Sequence, residues 1–313
     1  MKQVAVSLLI PTMNRPDTLE RTLESYFTAD FYPSQLIVVD QSENIDVAKL
    51  VETIVNKYSD ITETIYVYQK TPSLTVARNR AMLYASNDVI VCSDDDIDVY
   101  NDTIKNVANV MEENSIAMIA GTDDNSSVAS GKIGYFIGTK SYKYRNQGHV
   151  TQSMLGRFPS KVVNQVTPTM WAMGFFFVIR KSIVDKYQLE WDEKLPSYAY
   201  AEDLDFSFMY YKCSLKEKKI CVLIPDVHVK HRVSQEYRIP SAKATYMYVL
   251  NRWYLSYKHN MKIISRIAML WCDFWKYLVR IKNKENPGDL SKAICYAVNN
   301  RAELRRGILK YPF

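Results

Sequence analysis

The chain has 313 residues, of which 47% are hydrophobic and 24% are charged, a balance typical of a globular protein and not of a disordered one. Its five cysteines are scattered and none forms a Cys-x-x-Cys pair, which argues against a disulfide framework and against a cysteine-ligated zinc site. The net charge of +6 is uneven, because residues 258–313 contain twelve Lys or Arg against four Asp or Glu, a net of +8, and residues 1–257 therefore carry −2. This asymmetry predicts an anionic partner for the C-terminal part, a membrane surface rather than a nucleic acid.

Glycine is scarce, with nine residues in all, and the first is Gly121. The glycine-rich loops of dinucleotide-binding and P-loop proteins therefore cannot occur before that residue, and both classes are excluded there. The N-terminus enters a strand pattern at Val4 without the features of a signal peptide, so we expect a cytoplasmic protein.

Strands and helices alternate along the first part of the chain. Short apolar runs predict strands at residues 4–10, 36–39, 64–68, 89–92 and 116–120. Helical patterns begin between them, near Pro16, Asp46, Ser73 and Asn101. Such a βαβ series predicts an α/β fold with a mostly parallel sheet, in which functional residues gather at the carboxyl ends of the strands.

The strand at residues 89–92 is followed closely by three consecutive carboxylates: Asp94, Asp95 and Asp96. Adjacent acids repel one another, and a divalent cation relieves the repulsion. The run therefore predicts a metal or ligand site at the edge of the sheet. The alternative is a solvated acidic turn before the next helix, with Asn101 or Asp102 as its cap.

The pattern loosens after Gly121 into a polar stretch that reaches residue 166, which predicts a long loop or a small insert. An apolar strand is expected at residues 170–180, and a helix then opens with three acids: Glu202, Asp203 and Asp205. Acids in a first helical turn also suit the helix dipole, so a purely structural role is an open alternative. A further strand at residues 220–224 leads to His228 and His231.

Together these pieces resemble the family-2 glycosyltransferases over about residues 4–232. The resemblance is carried, in the family's order, by Ile10-Pro11-Thr12-Met13-Asn14-Arg15, Val38-Val39-Asp40, Ala77-Arg78-Asn79, Ser93-Asp94-Asp95-Asp96-Ile97, the strand with Gly174, and Glu202-Asp203-Leu204-Asp205. It implies a Rossmann-like catalytic domain of the GT-A type, which we place at residues 1–235. A basic helical region would follow at residues 236–313.

The resemblance also implies residue roles on the donor side. Nucleotide-binding positions would be Thr12, Arg15, Asp40, Arg78, Asp94 and Asp95, with Asp94 facing the ribose of a UDP-sugar. Asp96 would coordinate Mn²⁺ or Mg²⁺ at the diphosphate, and His231 would complete that site. The family often has a second acid after the position of Asp40, where this chain has Gln41, so contacts with the base could differ.

On the acceptor side, the resemblance implies that Asp203 is the general base, with Glu202 as the second candidate. Asp205 would hold the start of the helix or contact the acceptor. Direct displacement from a nucleotide sugar needs one base and no protein acid, because the diphosphate is a good leaving group. The implied enzyme is an inverting, metal-dependent glycosyltransferase of bacterial polysaccharide assembly, acting on a lipid-linked glycan. The alternatives are a sugar-phosphate nucleotidyltransferase and an inactive nucleotide-sugar-binding protein.

An amphipathic helix is expected at residues 262–281 of the C-terminal region, after another at residues 245–257. At about 100° per residue, the helix at residues 262–281 has one apolar side, formed by Ile264, Ile267, Trp271, Phe274, Trp275 and Leu278. The other side carries Lys262, Arg266, Asp273, Lys276 and Arg280. This segment is too charged to span a bilayer but suits a helix lying in the membrane interface, on the inner face of the cell membrane. The alternative is a helix that packs on the catalytic domain or in a dimer.

Overall fold

The computed structural model of the chain describes residues 1–124, 132–196, 199–232 and 240–313. Its strands are β1 (Lys2–Thr12), β2 (Phe31–Asp40), β3 (Glu63–Tyr68), β4 (Val89–Ser93), β5 (Ile97–Val99), β6 (Ile116–Asp123), β7 (His149–Val150), β8 (Gly156–Arg157), β9 (Thr167–Pro168), β10 (Phe176–Arg180) and β11 (Ile220–His231). Its helices are α1 (Pro16–Phe27), α2 (Ile45–Asn56), α3 (Leu74–Tyr84), α4 (Thr103–Met111), α5 (Ile133–Phe136), α6 (Lys181–Tyr187), α7 (Glu202–Lys216), α8 (Ser241–Lys258), α9 (Ile263–Lys282), α10 (Gly288–Asn299) and α11 (Arg301–Arg305).

The central sheet has the strand order β3-β2-β1-β4-β10-β6-β11-β5, with β9 paired to β11. Among the described residues, β1, β2, β3, β4, β6 and β11 run in one direction, and β5, β9 and β10 run in the opposite one. The mostly parallel α/β fold predicted from the sequence is therefore confirmed. The antiparallel insertion of β10 between β4 and β6 was not predicted.

Strand β10 is shorter than the sequence predicts, because it begins at Phe176 and not at residue 170. The backbone just before it is bonded elsewhere. The carbonyl of Phe175 accepts a hydrogen bond from the amide of Asp94, and Gly174 is bonded to side chains of α3 and α7. This segment serves the candidate site instead of extending the sheet.

Helices cover both faces of the sheet. Leu19, Leu23 and Val51 of α1 and α2 are buried on one face, and Ala77 and Phe206 of α3 and α7 on the other. Each large aliphatic side chain buried in this way contributes about 2 kcal/mol of hydrophobic stabilisation. Helix α1 begins with Pro16 in its first turn, where the missing amide hydrogen costs nothing.

The register of the sheet brings distant residues together at its carboxyl edge. Thr12 pairs with Asp40, and Leu9 pairs with Cys92, so the chain beyond β4 lies beside the end of β1. The short strand β5 then turns back along β11, where Ile97 pairs with His231. The three carboxylates are therefore held between the ends of β1 and β11.

The C-terminal helices pack on the N-terminal α/β part through α8. Val249, Leu250 and Leu255 of α8 belong to a third core cluster, which also contains Trp171 and Leu204 of the α/β part. The predicted domain boundary, at residues 235 and 236, lies outside the described residues.

Helix α9 has two faces, as the sequence predicts, but the side that packs on the protein is the one that carries the charged residues, where Ser265, Met269, Cys272 and Asp273 are buried. Trp275, which the sequence places on the apolar side, is half-buried. Asp273 and Arg252 of α8 form a completely buried ion pair with 2.7 Å between Oδ1 and Nη1. Lys276 lies over the ring of Tyr248, 3.5 Å from its centroid. The α9 apolar face is 38–70% exposed and consists of Ile263, Ile264, Ile267, Leu270, Trp271, Phe274 and Leu278. In the described parts of the chain, no helix combines the length and hydrophobicity needed to cross a bilayer.

Candidate functional site

A cavity of about 340 Å³ opens at the carboxyl edge of the sheet. Its walls come from the chain after β4, the segment before β10, the first turn of α7, the end of β11 and the β7–β8 hairpin. The polar residues that line it include Arg78, Asp94, Arg157, Glu202, Asp203 and His231. Five of these six, all but Arg157, are residues that the sequence analysis assigned to the site.

Asp94, Asp96 and His231 form a group that could hold a metal ion. One ligand atom from each of them lies within 4.8 Å of the others, and Nε2 of His231 is 3.2 Å from Oδ1 of Asp96. Two carboxylate oxygens and one imidazole nitrogen suit Mn²⁺ or Mg²⁺, so the donor set fits the predicted ion. This group includes Asp94, which the sequence analysis assigned to the ribose.

The charges in this group are strongly coupled. Burial would lower the pKa of His231, but the hydrogen bond and negative charge of Asp96 outweigh it, and the pKa is raised. Burial raises the pKa of Asp94, against the opposing charge of Arg78. A divalent cation would favour the ionised form of both carboxylates.

Asp95 points away from the cavity. It is completely buried, accepts a 2.6 Å hydrogen bond from the hydroxyl of Thr12, and forms a 2.6 Å ion pair with Arg15. Burial raises its pKa to about 7, although Arg15 opposes the shift. The middle carboxylate thus ties the acidic turn to the end of β1, and its predicted contact with the nucleotide remains a prediction.

Asp40 is also completely buried. Its Oδ1 accepts hydrogen bonds from the amide and hydroxyl of Ser42, and its Oδ2 accepts one from Tyr66. These bonds shape the turn after β2. A direct role of Asp40 on the nucleotide remains a prediction as well.

Gly174 connects the two sides of the cavity. Its carbonyl accepts a 3.0 Å hydrogen bond from Arg78, and its amide donates a 2.9 Å hydrogen bond to Oδ2 of Asp203. A Cβ atom at this position would lie 3.1 Å from Arg78, 3.2 Å from Glu202 and 3.3 Å from Asp203. Any larger residue would push these three side chains apart by a few tenths of an ångström, so glycine suits their close approach.

Glu202 and Asp203 differ in their surroundings. Glu202 is buried, with its Oε1 3.5 Å from Arg78, and burial raises its pKa to about 8 in spite of that arginine. Asp203 is partly exposed to the cavity, and burial raises its pKa, opposed by hydrogen bonds from the amides of Gly174 and Leu204. These two donors favour the carboxylate form, so the geometry favours Asp203 over Glu202 as a base at neutral pH.

Asp205 binds the C-terminal region. Its two oxygens lie 2.7 Å from Nζ of Lys258 and 2.8 Å from Nε2 of His259, so it anchors α7 to the end of α8.

His228 is outside the metal group, with its Nδ1 2.9 Å from the carbonyl of Pro225. Trp191 is 1% exposed and stacks on the ring of Phe206, so it packs in the core.

The residues that line the cavity but were not predicted from the sequence include Arg157, Trp171 and Tyr200. Arg157 lies in the polar stretch that the sequence predicts as a long loop or a small insert, and loops of that length are often functional. Tyr200 directly precedes the turn that opens α7, and Ala201 in that turn has a left-handed conformation with φ of 66°. Such strain in a non-glycine residue is often found at functional sites, but no sequence pattern reveals it.

The sequence profile of glycosyl transferase family 2 matches residues 7–188. No curated protein matches the chain in sequence. Among solved structures, the mannosyltransferase PcManGT from Pyrobaculum calidifontis, in complex with GDP-Man and Mn²⁺, is similar with a TM-score of 0.56 and 12% identity over 96% of this chain and 83% of that one. The S. aureus TarS 1–349 structure is similar with a TM-score of 0.51 and 13% identity over 97% and 87%.

GalNAc-T7, with UDP, GalNAc and Mn²⁺, is similar with a TM-score of 0.55 and 14% identity over 95% of this chain. The chain spans 57% of the length of GalNAc-T7. At these identities the three structures show a shared fold, and the predicted GT-A architecture is confirmed.

Proposed function

The chain belongs to glycosyl transferase family 2, and from this premise we propose that it transfers a sugar from a UDP-sugar to a hydroxyl of a lipid-linked glycan, with a bound metal ion and inversion at the anomeric carbon. The observation that carries the proposal is that one cavity contains both Asp203 and two members of the candidate metal group, Asp94 and His231. Donor activation and proton removal can therefore occur in the same space.

On the donor side, Asp94, Asp96 and His231 would hold Mn²⁺ or Mg²⁺. The ion would neutralise the charge that grows on the diphosphate as the glycosidic bond breaks. The structures of PcManGT and GalNAc-T7 contain Mn²⁺ with GDP-Man, or with UDP and GalNAc, respectively, which supports both the ion and the donor class. Arg78 adds a permanent positive charge 3.2 Å from Asp94.

On the acceptor side, Asp203 accepts the proton of the attacking hydroxyl. Its position is fixed by hydrogen bonds to both oxygens, 2.9 Å from the amide of Gly174 and 2.7 Å from the amide of Leu204. Each carboxylate oxygen can accept a further hydrogen bond. Attack from the side opposite the diphosphate inverts the anomeric carbon.

Two other functions are weaker. A sugar-phosphate nucleotidyltransferase disagrees with the family match and with the absence of glycine before Gly121. A protein that only binds nucleotide sugars would not need a carboxylate such as Asp203, which two amide donors orient in the same cavity as the candidate metal group.

The α9 apolar face supports a location on the cytoplasmic surface of a membrane. Trp271 of this face donates a 2.9 Å hydrogen bond to the carbonyl of Phe136, which is itself 63% exposed, so α5 extends the apolar surface. Residues 132–145 next to it contain four basic and no acidic residues, and residues 258–313 carry +8. An exposed apolar strip among basic residues suits the interface of an anionic membrane, where lipid-linked acceptors reside.

The direct test is a panel of nucleotide sugars and nucleotides, scored by thermal shift with and without Mn²⁺. We expect UDP and one UDP-sugar to raise the melting temperature, and the effect to depend on the ion. Release of UDP from that donor, followed by chromatography, then measures turnover. If only GDP-sugars stabilise the protein, the proposal of uracil as the nucleobase of the donor is wrong. If no nucleotide stabilises it, the proposed function is wrong.

A further inference from the structure

The cavity contains a second arginine that differs from Arg78 in its partners. Arg78 is surrounded by acids, with Asp94 at 3.2 Å and Glu202 at 3.5 Å. Among the described residues, Arg157 donates hydrogen bonds to two main-chain carbonyls, from Nε to Thr139 at 2.8 Å and from Nη1 to Gly156 at 2.8 Å. In the part of the chain that the structure describes, no carboxylate forms an ion pair with Arg157.

A guanidinium has five N–H donors and stays charged at any physiological pH. With two donors used on carbonyls, Arg157 has three left, all on Nη1 and Nη2. Within the described ranges, no carboxylate neutralises its charge through an ion pair. A planar fork of this kind matches the oxygens of a carboxylate or a phosphate.

The hairpin that carries Arg157 is held firmly. A Cβ on Gly156 would lie 2.6 Å from the ring of Trp171, so the backbone is pressed against that ring. The indole nitrogen of Trp171 donates a 3.0 Å hydrogen bond to the carbonyl of Arg157, and Phe158 stacks on the same ring. The cation is therefore positioned before any ligand arrives, which lowers the entropic cost of binding.

Arg157 lies toward the acceptor side of the cavity. It belongs to the β7–β8 hairpin, whereas the candidate metal group is carried by the turn after β4 and by the end of β11. Tyr200 also lines the cavity, and its hydroxyl is close enough to both Arg157 and Asp203 for the two charges to act on it. Burial raises the pKa of Tyr200 to about 12, with Arg157 opposing the shift and Asp203 adding to it.

We propose that Arg157 forms an anion subsite for the acceptor, so that the enzyme selects a glycan bearing a carboxylate or phosphate next to the hydroxyl that is glycosylated. This inference rests on the proposed function and adds the substrate class. Two sources share the required oxyanion: a sugar acid within the glycan, and a phosphate of the glycan or of its lipid carrier.

The test compares matched pairs of small probes by calorimetry, with saturating UDP and Mn²⁺ present to fill the donor side. Methyl glucuronide is compared with methyl glucoside, and glycerol phosphate with glycerol. We expect the wild-type protein to bind at least one anionic probe about 10-fold or more tightly than its neutral partner, as for a charged hydrogen bond. A larger preference for methyl glucuronide indicates a sugar acid as the bound anion, and a larger preference for glycerol phosphate indicates a phosphate.

Three variants assign the preference to a residue. Arg157→Gln should remove it, Arg157→Lys should keep part of it, and Lys161→Gln, which changes an exposed cation of the same insert, should keep all of it. The affinity for UDP should be the same in all four proteins. If Arg157→Gln does not fold, the anionic preference of the wild-type protein and its partial loss in Arg157→Lys still test the proposal.

The inference is overturned if wild-type protein does not distinguish anionic from neutral probes, or if the preference survives in Arg157→Gln. A loss of UDP affinity in Arg157→Gln would also overturn it, because Arg157 would then serve the donor diphosphate. Failure of wild-type protein to bind any nucleotide would count against the proposed function instead. The probe titrations without nucleotide would then decide on the anion subsite separately.

Discussion

Replacing Glu202 by glutamine should make the protein more stable at neutral pH, and the gain should depend on pH in a defined way. The pKa of Glu202 is about 8 in the folded protein, against an ordinary value of 4.5. Between these two values the folded state binds more protons at this site than the unfolded state, so its stability falls as pH rises. The stability that the folded protein gains from keeping Glu202 protonated is fully present below pH 4.5 and is lost as the pH rises through about 8.

The size of the effect follows from this window. Each pH unit inside it changes the free energy of unfolding by about 1.4 kcal/mol. Glutamine at position 202 does not titrate. The stability of Glu202→Gln relative to wild type should therefore increase by about 3 kcal/mol between pH 5 and pH 7.

Urea unfolding followed by tryptophan fluorescence, in the absence of metal, measures this difference at each pH. Glu190→Gln, a change at an exposed glutamate, is the matched control and should follow wild type throughout. A difference between Glu202→Gln and wild type that stays constant from pH 5 to pH 7 would refute the reasoning. Glu202 would then be ionised in the folded protein, and its exclusion as the base would lose its physical ground.

The remaining predictions concern chemistry and location. Asp203→Asn should lower turnover by about 10²- to 10⁴-fold, as expected for a general base, with donor affinity by calorimetry nearly unchanged; if Glu202→Gln instead abolished turnover while Asp203→Asn kept it, the two roles must be exchanged. Asp96→Ala should abolish Mn²⁺-dependent binding of UDP while the melting temperature stays close to that of wild type, and unchanged metal-dependent affinity would remove Asp96 from the metal group. The double variant Trp271→Glu, Phe274→Glu should co-sediment less with anionic liposomes because it loses apolar area on an exposed face, and added salt should weaken binding of the wild type. Wild-type protein that ignores liposomes at any salt concentration, together with early melting of the double variant, would indicate that the face is covered by protein.

Local signals in the sequence were sufficient for the architecture and for part of the site. The alternation of apolar runs and helical patterns determined α1 to α4 and the strands β1 to β4 and β6, because each of these elements depends on a short periodicity that neighbouring residues supply. The carboxylates after β4 and the acids that open α7 could be found for the same reason. The convergence of the residues after β1, β2 and β4 followed from the rule that parallel strands end at one edge, whereas the approach of the α7 acids to that edge was implied only by the family resemblance.

Other features needed contacts between distant segments. The antiparallel direction of β10, the return of β5 along β11 that brings Asp96 to His231, and the burial of Asp95 against Arg15 are all set by pairings across the chain. No local pattern determines such pairings.

The sequence by itself determined that the helix at residues 262–281 has an apolar and a polar face, because helical geometry places residues on faces whatever surrounds them. Which face packs on the protein was decided only by the tertiary structure. The buried Arg252 of α8 needs a counter-charge, and Asp273 supplies it at 2.7 Å, since an unpaired charge in the interior would cost several kcal/mol. This ion pair, together with the burial of Met269 and Cys272 on the same side, holds the polar face of α9 inward and leaves its apolar face exposed.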